Sequence, residues 1–453
     1  MSLMPQDRSK LSPMMQQYLS MKDEHRDQIL MFRLGDFYEM FFDDAVTASR
    51  ELELTLTGRD CGLPDRAPMC GVPYHSVENY IARLVKKGYK VAICEQMENP
   101  ALAKGMVKRD IVRVVTPGTL MEANMLEEGC NNYICSLCPS GERCGLAFAD
   151  ISTGDYLVTE VDGCRKLLDE ITKFAPTEII CNDSFFVSGV DVEDLKNRLG
   201  IAVNALENWY FGDERCKKTL LDHFHVSSLA GLGLGELNCG IIAAGALLQY
   251  LMETQKTAIA NLTSLNTYFA GKYMVIDSST RRNLELCETL REKQKRGSLL
   301  WVLDKTKTAM GARLLRSFIE QPLIDKAEIE KRQDAIADIN RHMITREELR
   351  EYLNPIYDLE RLITRVTYMS ANPRDLIAFK NSIGMLPPIK TLLEDFDTEL
   401  LKEIHSGSTP QKRAEAKILY VRIIKSMREF KNYVLEYEES NGQTKLDILE
   451  YPI

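Results

Sequence analysis

Up to about residue 250, short apolar runs of strand length alternate with stretches of helical period; from about 265 onward the period is helical almost throughout. Within the first part, residues 145–152 and 154–161 alternate around Thr153 and Gly154 and predict a β-hairpin. A helix over 164–173 and a strand over 178–181 follow, an α/β order. The helical part breaks at Gly271, Pro322, Pro355, Pro373 and the Pro387–Pro388 pair. After Ser406, Gly407 and Ser408 the chain is charged and amphipathic, helical in period from Lys412 to Tyr437. There are no 20–50-residue repeats and no low-complexity tracts.

One segment departs from this simple patterning. The apolar run Ile29–Phe32 is followed by Gly35 and then by Asp36, Phe37, Tyr38 and Glu39. Asp36 is a good helix N-cap and Glu39, three residues on, completes a capping box, so the pattern predicts a helix starting at Phe37. Its apolar stripe is Tyr38, Phe41, Ala45, Ala48 and Leu52. Phe37 lies about 100° off that stripe, which makes it less buried than Phe41. An exposed aromatic beside a carboxylate suits contact with something flat and hydrogen-bonding. The same residues also admit a purely structural role, Phe37 as a staple against the preceding strand and Glu39 as a cap.

Length and composition narrow the class. At 453 residues the chain exceeds one ordinary core and suggests about three domains. With 45% apolar and 27% charged residues it is a globular rather than a disordered sequence. A net charge of −9 argues against a wholly basic nucleic-acid binder but leaves room for a local basic face. Such an island exists: Arg83, Lys86, Lys87, Lys90, Lys104, Lys108, Arg109 and Arg113 against Glu95, Glu98 and Asp110. It could contact phosphates or be an ordinary solvated surface. The start is not that of a secretory signal, and the longest apolar run, 241–251, is too short to span a membrane. The expected location is the cytoplasm, where the twelve scattered cysteines are reduced core thiols. Cys130, Cys135, Cys138 and Cys144 include one zinc-like spacing, without a second close pair or a histidine pair to complete a site.

GDFYEMF at 35–41 resembles the mismatch-reading motif of the bacterial MutS family. SPMMQQY at 12–18, APMCGVPYH at 67–75, VAICEQ at 91–96 and VRVVTPGT at 112–119 resemble the rest of the same domain in the same order. ADISTGD at 149–155 resembles the connector domain. Asp277 with TRRNLEL at 280–286, GSLLWVLD at 297–304, TKTAMG at 306–311 and DLERL at 358–362 resemble the helical core. The resemblance covers roughly residues 10–405. It implies a mixed α/β mismatch-binding domain over 1–122 and an α/β ribonuclease-H-like connector over 123–260. An all-α lever/core region over 261–405 follows, with 406–453 as a helical tail of uncertain match.

The resemblance also implies roles. Phe37 would enter the minor groove and stack on a mispaired base, and Glu39 would hydrogen-bond that base. Close to the DNA's negative field Glu39 would favour its protonated form, which can donate to a base acceptor. Thr57, Arg59, Met69, Tyr74, His75, Ser76, Lys104, Lys108 and Arg109 are possible contacts to the DNA backbone, although His75 taken alone would more often be structural. Arg281–Arg282 and Asp358–Arg361 are expected as helix–helix ion pairs, and Trp301 as core. The implied partner is double-stranded DNA with mismatches or small loops. A MutL-type partner and homodimerisation are expected of the full-length family, near the bacterial nucleoid.

The sequence departs from the family at its end. A full-length relative would continue into a DNA clamp and an ATPase domain that uses ATP and Mg. No Gly-x-x-x-x-Gly-Lys-[Ser/Thr] loop occurs here; Gly271 and Lys272 are followed by Tyr273. The expectation is a chain that is not itself an ATPase and carries no cofactor. One alternative is a truncated or regulatory fragment acting through protein contacts with weak DNA binding. Another is a nuclease on the connector, for which Asp150 and Asp155 are the only evident acid pair.

Overall fold

The apolar run 28–34 cannot end in a helix at Phe37, because the chain pairs back on itself first. In a computed structural model, which describes residues 8–98, 107–257, 259–368 and 370–406, helix α1 (Pro13–Glu24) precedes strands β1 (Gln28–Leu34) and β2 (Phe37–Phe41). The two strands are antiparallel, with Leu34 opposite Phe37 across a two-residue turn. Gly35 takes φ +59° there, a conformation that favours glycine. The expected helix over 37–52 is therefore half right: 37–41 is strand, and helix α2 runs Phe42–Leu52. The capping box Asp36/Glu39 does not form. Hairpin pairing to a buried strand outweighs a local cap signal.

Strands β3 (Thr57–Arg59) and β4 (Ala67–Pro73), helix α3 (Val77–Lys86), and strands β5 (Lys90–Gln96) and β6 (Arg109–Val115) complete a six-stranded mixed sheet of order β3-β4-β2-β1-β5-β6. Strand alternation gives it two apolar faces. Leu30, Phe32 and Phe41 pack against Met15, Tyr18 and Leu19 of α1. Ile29, Met31, Tyr38 and Met40 pack against Ala45, Ala48 and Leu52 of α2 and Ile81, Leu84 and Val85 of α3.

A second six-stranded sheet has the order β11-β10-β7-β8-β9-β12. It comprises β7 (Ile134–Ser140), β8 (Arg143–Asp150), β9 (Asp155–Asp162), β10 (Glu178–Cys181), β11 (Ala202–Ala205) and β12 (Asn266–Thr267). β7, β8 and β9 form an antiparallel meander; β10 and β11 add in parallel. The hairpin turned at Thr153–Gly154 and the strand at 178–181 fall where the alternation placed them. Helices α4 (Cys164–Phe174) and α5 (Val192–Asn197) pack one apolar face. α6 (Asp213–Phe224) and α7 (Cys239–Gln255) follow, and α7 crosses β7, β8 and β9 and reaches β6 of the first sheet. Gly245 lets α7 approach α6: a Cβ there would stand 2.4 Å from that of Cys216.

The two sheets are locked at Glu178. Its buried carboxylate accepts from Thr116 Oγ1 and the Gly118 amide (3.0 Å) at the end of the first domain. It also accepts from Asn204 Nδ2 (2.8 Å) on β11 and Tyr250 Oη (2.7 Å) on α7. Four neutral donors satisfy a buried charge that would otherwise be costly.

The chain divides into two compact units, Met1–Asp304 with Arg313–Pro322, and Lys305–Ala312 with Leu323–Ile453. The remaining helices are α8 (Ser278–Asn283), α9 (Leu299–Leu303), α10 (Ala309–Glu320), α11 (Lys326–Arg341), α12 (Met343–Leu353), α13 (Leu359–Thr367), α14 (Pro373–Gly384), α15 (Leu386–Leu392) and α16 (Glu399–Ser406). The predicted breaks fall at the ends of these helices or in turns, and Pro373 and the Pro387–Pro388 pair occupy first helical turns, where a missing N–H is harmless.

In the first unit, Leu286, Cys287 and Leu300 make a small core with Leu315 and Ile319. Trp301 is not core: α9 is five residues long and buries only Leu300, leaving Trp301 47% exposed. Arg281 donates to the Glu320 carbonyl (3.1 Å), and Asp358 caps its own helix, accepting from the Arg361 amide. The first is a helix–helix contact, α8 to α10, made through a backbone carbonyl, and the second pair, with Arg361 Nε 3.8 Å from Asp358 Oδ2, is an ion pair within one helix rather than between helices. In the second unit, Ala335, Leu393, Phe396 and Leu401 form the core. The tail with its 412–437 periodicity lies outside the described residues.

Candidate nucleic-acid interface

Because β2 is a strand, Phe37 and Glu39 share a face, about 7 Å apart along it. That face is the one α1 covers, and the covering stops short. Phe41, at the far end of β2, is fully buried edge-on to Tyr18 with ring centroids 5.0 Å apart. Phe37, at the turn end, is 47% exposed. The expected ranking of Phe37 and Phe41 holds, but its cause is the edge of the α1 contact and not helical phase.

The register decides what surrounds them. Glu39 lies opposite Phe32 on one side and Gly71 on the other; Phe37 lies opposite Leu34 and Pro73. Met69 faces Phe41 on β2 and Thr57 on β3. Thr57, Arg59, Met69 and Gly71 therefore share the Phe37/Glu39 face. The half-buried Glu39 carboxylate accepts from the Arg59 guanidinium. Thr57 is exposed, and its hydroxyl donates to the Met69 carbonyl (3.0 Å).

Around the turn, the Tyr74 amide donates to the Asp36 carbonyl (2.9 Å), tying the segment after β4 to the hairpin. Tyr74 and His75 are both exposed, with Tyr74 edge-on to His75. The Arg33 guanidinium lies 3.9 Å over the Tyr74 ring, a cation–π contact. Ser76 is half-buried and its hydroxyl donates to the Pro73 carbonyl. Arg33 and Gly71 were missed by sequence reasoning. Arg33 had no periodic signal, and Gly71 stood inside a matched motif without a visible reason.

The basic island does not form one face. Arg83 and Lys86 sit on α3, with Lys87 just past its end, behind the sheet from Phe37 and Glu39. Lys87 pairs with Glu51, Lys90 with Asp27, and Arg113 with Glu122. Lys108 is exposed immediately before β6, where its carbonyl accepts from the Met97 amide (2.9 Å) and its own amide donates to the Glu98 carboxylate (2.7 Å). Arg109 is buried: it donates to the Arg33 carbonyl (3.0 Å) and Gln17 Oε1 (3.1 Å), and its guanidinium lies over Phe32. It is placed as a structural arginine rather than at the surface where a phosphate would meet it. Lys104 lies outside the described residues.

Of the four clustered cysteines, Cys135, Cys138 and Cys144 are buried, whereas half-buried Cys130 accepts from the Arg316 guanidinium (3.0 Å) and donates to the Glu127 carboxylate (3.4 Å). Cys135 and Cys138, three apart on β7, point to opposite faces, and Cys135 and Cys144 belong to the second domain's core. Among the described residues no group of three or more His, Cys, Asp or Glu is arranged to hold a metal. Both oxygens of Asp150 are taken up locally: Oδ1 by the Ser152 amide and hydroxyl, Oδ2 by the Asn132 amide and Asn131 Nδ2. This is a structural carboxylate holding the β8–β9 turn, not one half of an open acid pair. No helix among the described residues is long and apolar enough to cross a membrane.

These features define a multidomain α/β protein whose first sheet ends in an exposed aromatic and a carboxylate, followed by a second sheet and a helical region. Three family models match it in that order: MutS domain I over residues 12–124, MutS domain II over 132–266 and MutS domain III over 279–445. The last match runs on past residue 405, where the resemblance had faded. The chain is 61% identical over 397 residues to the DNA mismatch repair protein MutS of Lachnoclostridium phytofermentans, covering 88% of this chain and 43% of that protein. It is 50% identical over 404 residues to the protein of that name in Alkaliphilus oremlandii (87% and 46%). For the Ruminiclostridium cellulolyticum protein it is 52% over 395 residues (86% and 45%). The chain belongs to the MutS family, and it spans a little under half the length of these curated relatives.

Proposed function

We propose that this chain reads mispaired or unpaired bases in duplex DNA, with Phe37 as a minor-groove wedge and Glu39 as the hydrogen-bonding group beside it. The observation that carries this reading is the pairing of a half-exposed phenyl ring and a carboxylate on one face of a strand fixed between two others. A wedge must be rigid to pry, and a strand end backed by α1 is more rigid than a loop. Inserting it unstacks a base step at a cost of a few kcal/mol. A mispaired step is already easier to unstack and kink, so discrimination comes from deformability as well as from base contacts. Thr57, Met69, Tyr74 and His75 lie around the wedge and would bear on the adjoining backbone, while Arg59 pairs with the Glu39 carboxylate. The order of the second sheet, three antiparallel strands followed by two parallel ones, supports a ribonuclease-H-like connector. ATP and Mg, a MutL-type partner and a second copy of the chain belong to the same proposal at the level of the full-length family.

The test is binding to a G·T or unpaired-T duplex and to the matched duplex at fixed salt, for wild type, Phe37→Ala and Glu39→Gln. Wild type is expected to prefer the mispaired duplex, and Phe37→Ala to lose most of that preference. Glu39→Gln keeps it, because an amide N–H donates where a protonated carboxyl would. Equal affinity of wild type for both duplexes would sink the reading, and a collapse of preference in Glu39→Gln would remove the donor role.

A further inference from the structure

We infer that Gly71 is a specificity-determining position of this face: having no side chain, it leaves the slot between Phe37 and Glu39 through which the edge of a base reaches the carboxylate. The inference rests on the reading just given and adds to it a residue without chemistry of its own. On this face β4 presents Met69, Gly71 and Pro73, opposite Phe41, Glu39 and Phe37 of β2. Gly71 is thus the one gap in the row, and the gap lies beside the reading pair.

The backbone does not call for glycine here. Gly71 lies inside a strand and is not among the glycines with positive φ, and a glycine in mid-strand weakens the strand. What its absent side chain leaves is space. A Cβ would stand 3.4 Å from Glu39 Cγ and 3.8 Å from Phe37 Cδ1, with the Tyr38 carbonyl oxygen at 3.3 Å. It would touch both reading side chains and collide outright with nothing. Alanine is accommodated by a shift of a few tenths of an ångström. A branched side chain fills the slot, restricts the rotamers of Glu39 and crowds the Phe37 ring. A planar base stacked on Phe37 and bonded to Glu39 needs that volume for its own edge. A competing account is that glycine merely relieves the close approach of the Tyr38 carbonyl. That account predicts a loss of stability without a loss of discrimination.

The experiment measures the ratio of affinities for G·T and matched duplexes, together with the melting temperature, for wild type, Gly71→Ala and Gly71→Val. The expected result is a ratio that falls by about tenfold or more in Gly71→Val, the size of losing one good base contact. Gly71→Ala falls between, and both variants melt close to wild type. Should Gly71→Val fail to fold, Gly71→Ala decides by the same ratio. A ratio kept at the wild-type value, whatever the melting temperature, overturns the role of Gly71 and leaves the wedge reading standing. A wild type without preference overturns both.

Discussion

Phe37 forfeits part of the roughly 1.5–3 kcal/mol that full burial of a phenyl ring would return, and it does so at the end of a strand whose other aromatics are buried. Its neighbour Glu39 is held by Arg59, whose side chain is 38% exposed. An ion pair of that exposure is worth about 0–1 kcal/mol, enough to orient the carboxylate and small enough to be exchanged when a base or phosphate arrives. Arg59 is therefore placed to position Glu39 more than to hold DNA. Arg59→Met should lower the preference for the mispaired duplex while changing the salt slope of matched-duplex binding by well under one, since losing a phosphate contact changes it by about one. Titrating binding at several salt concentrations separates the two. A uniform weakening with a slope smaller by one would make Arg59 an ordinary phosphate contact.

The corner from β2 into α2 sets where the reading pair points. Phe42 carries φ +53°, an uncommon conformation for a bulky residue. The corner is pinned by a buried network. Lys22 Nζ lies 2.8 Å from Asp44 Oδ1, and Asp44 Oδ2 accepts from Tyr18 Oη and the Leu30 amide, each at 3.0 Å. Tyr18 Oη in turn meets the Phe41 backbone. Burial pushes the Asp44 carboxyl up despite the opposing effect of Lys22. Lys22→Met removes the cation and leaves the acid buried, a loss of about 3–5 kcal/mol. Hydrogen exchange of the β1 and β2 amides should then quicken by about two orders of magnitude or more at neutral pH. Since the folded-state value of Asp44 is raised, the penalty is present above that value and shrinks as the pH falls through it towards the ordinary aspartate range. A deficit that does not change with pH would show that the ion pair is not its cause.

For the whole molecule, the decisive contact is the Glu178 junction, because it couples the reading domain to the second sheet. Gly118 sits so tightly there that a Cβ would stand 2.6 Å from that of Ile134. Glu178→Ala strands four donors, each costing about 1–3 kcal/mol if left buried without a partner. Limited proteolysis should then cut within 116–132 while the wild-type chain resists. Equal resistance would mean that α7 against β6 holds the domains together without the carboxylate. The net charge of −9 bears on this scale too: with Arg83 and Lys86 on α3 behind the reading face and Lys87, Lys90 and Arg113 in ion pairs, the proposed DNA binding would depend on the local face around Phe37 rather than on the chain's overall field.

Much of the architecture was legible in the sequence. The hairpin at Thr153–Gly154, the strand at 178–181 and the helix breaks at proline follow from local periodicity and turn chemistry, which are short-range properties. The segment 37–41 was not legible, because a capping box and a helical stripe were both present and only pairing with β1 and β4 could override them. The sequence by itself singled out the residues proposed to carry the reading chemistry, Phe37 and Glu39, through the motifs around them. The tertiary structure alone decided that they share a strand face, that Arg59 holds the acid and that Arg109 is turned inward. It also decided that Gly71 leaves the space between them. These are matters of cross-strand register and of where α1 ends, and sheet pairing brings together residues 20 to 36 positions apart that no local pattern relates.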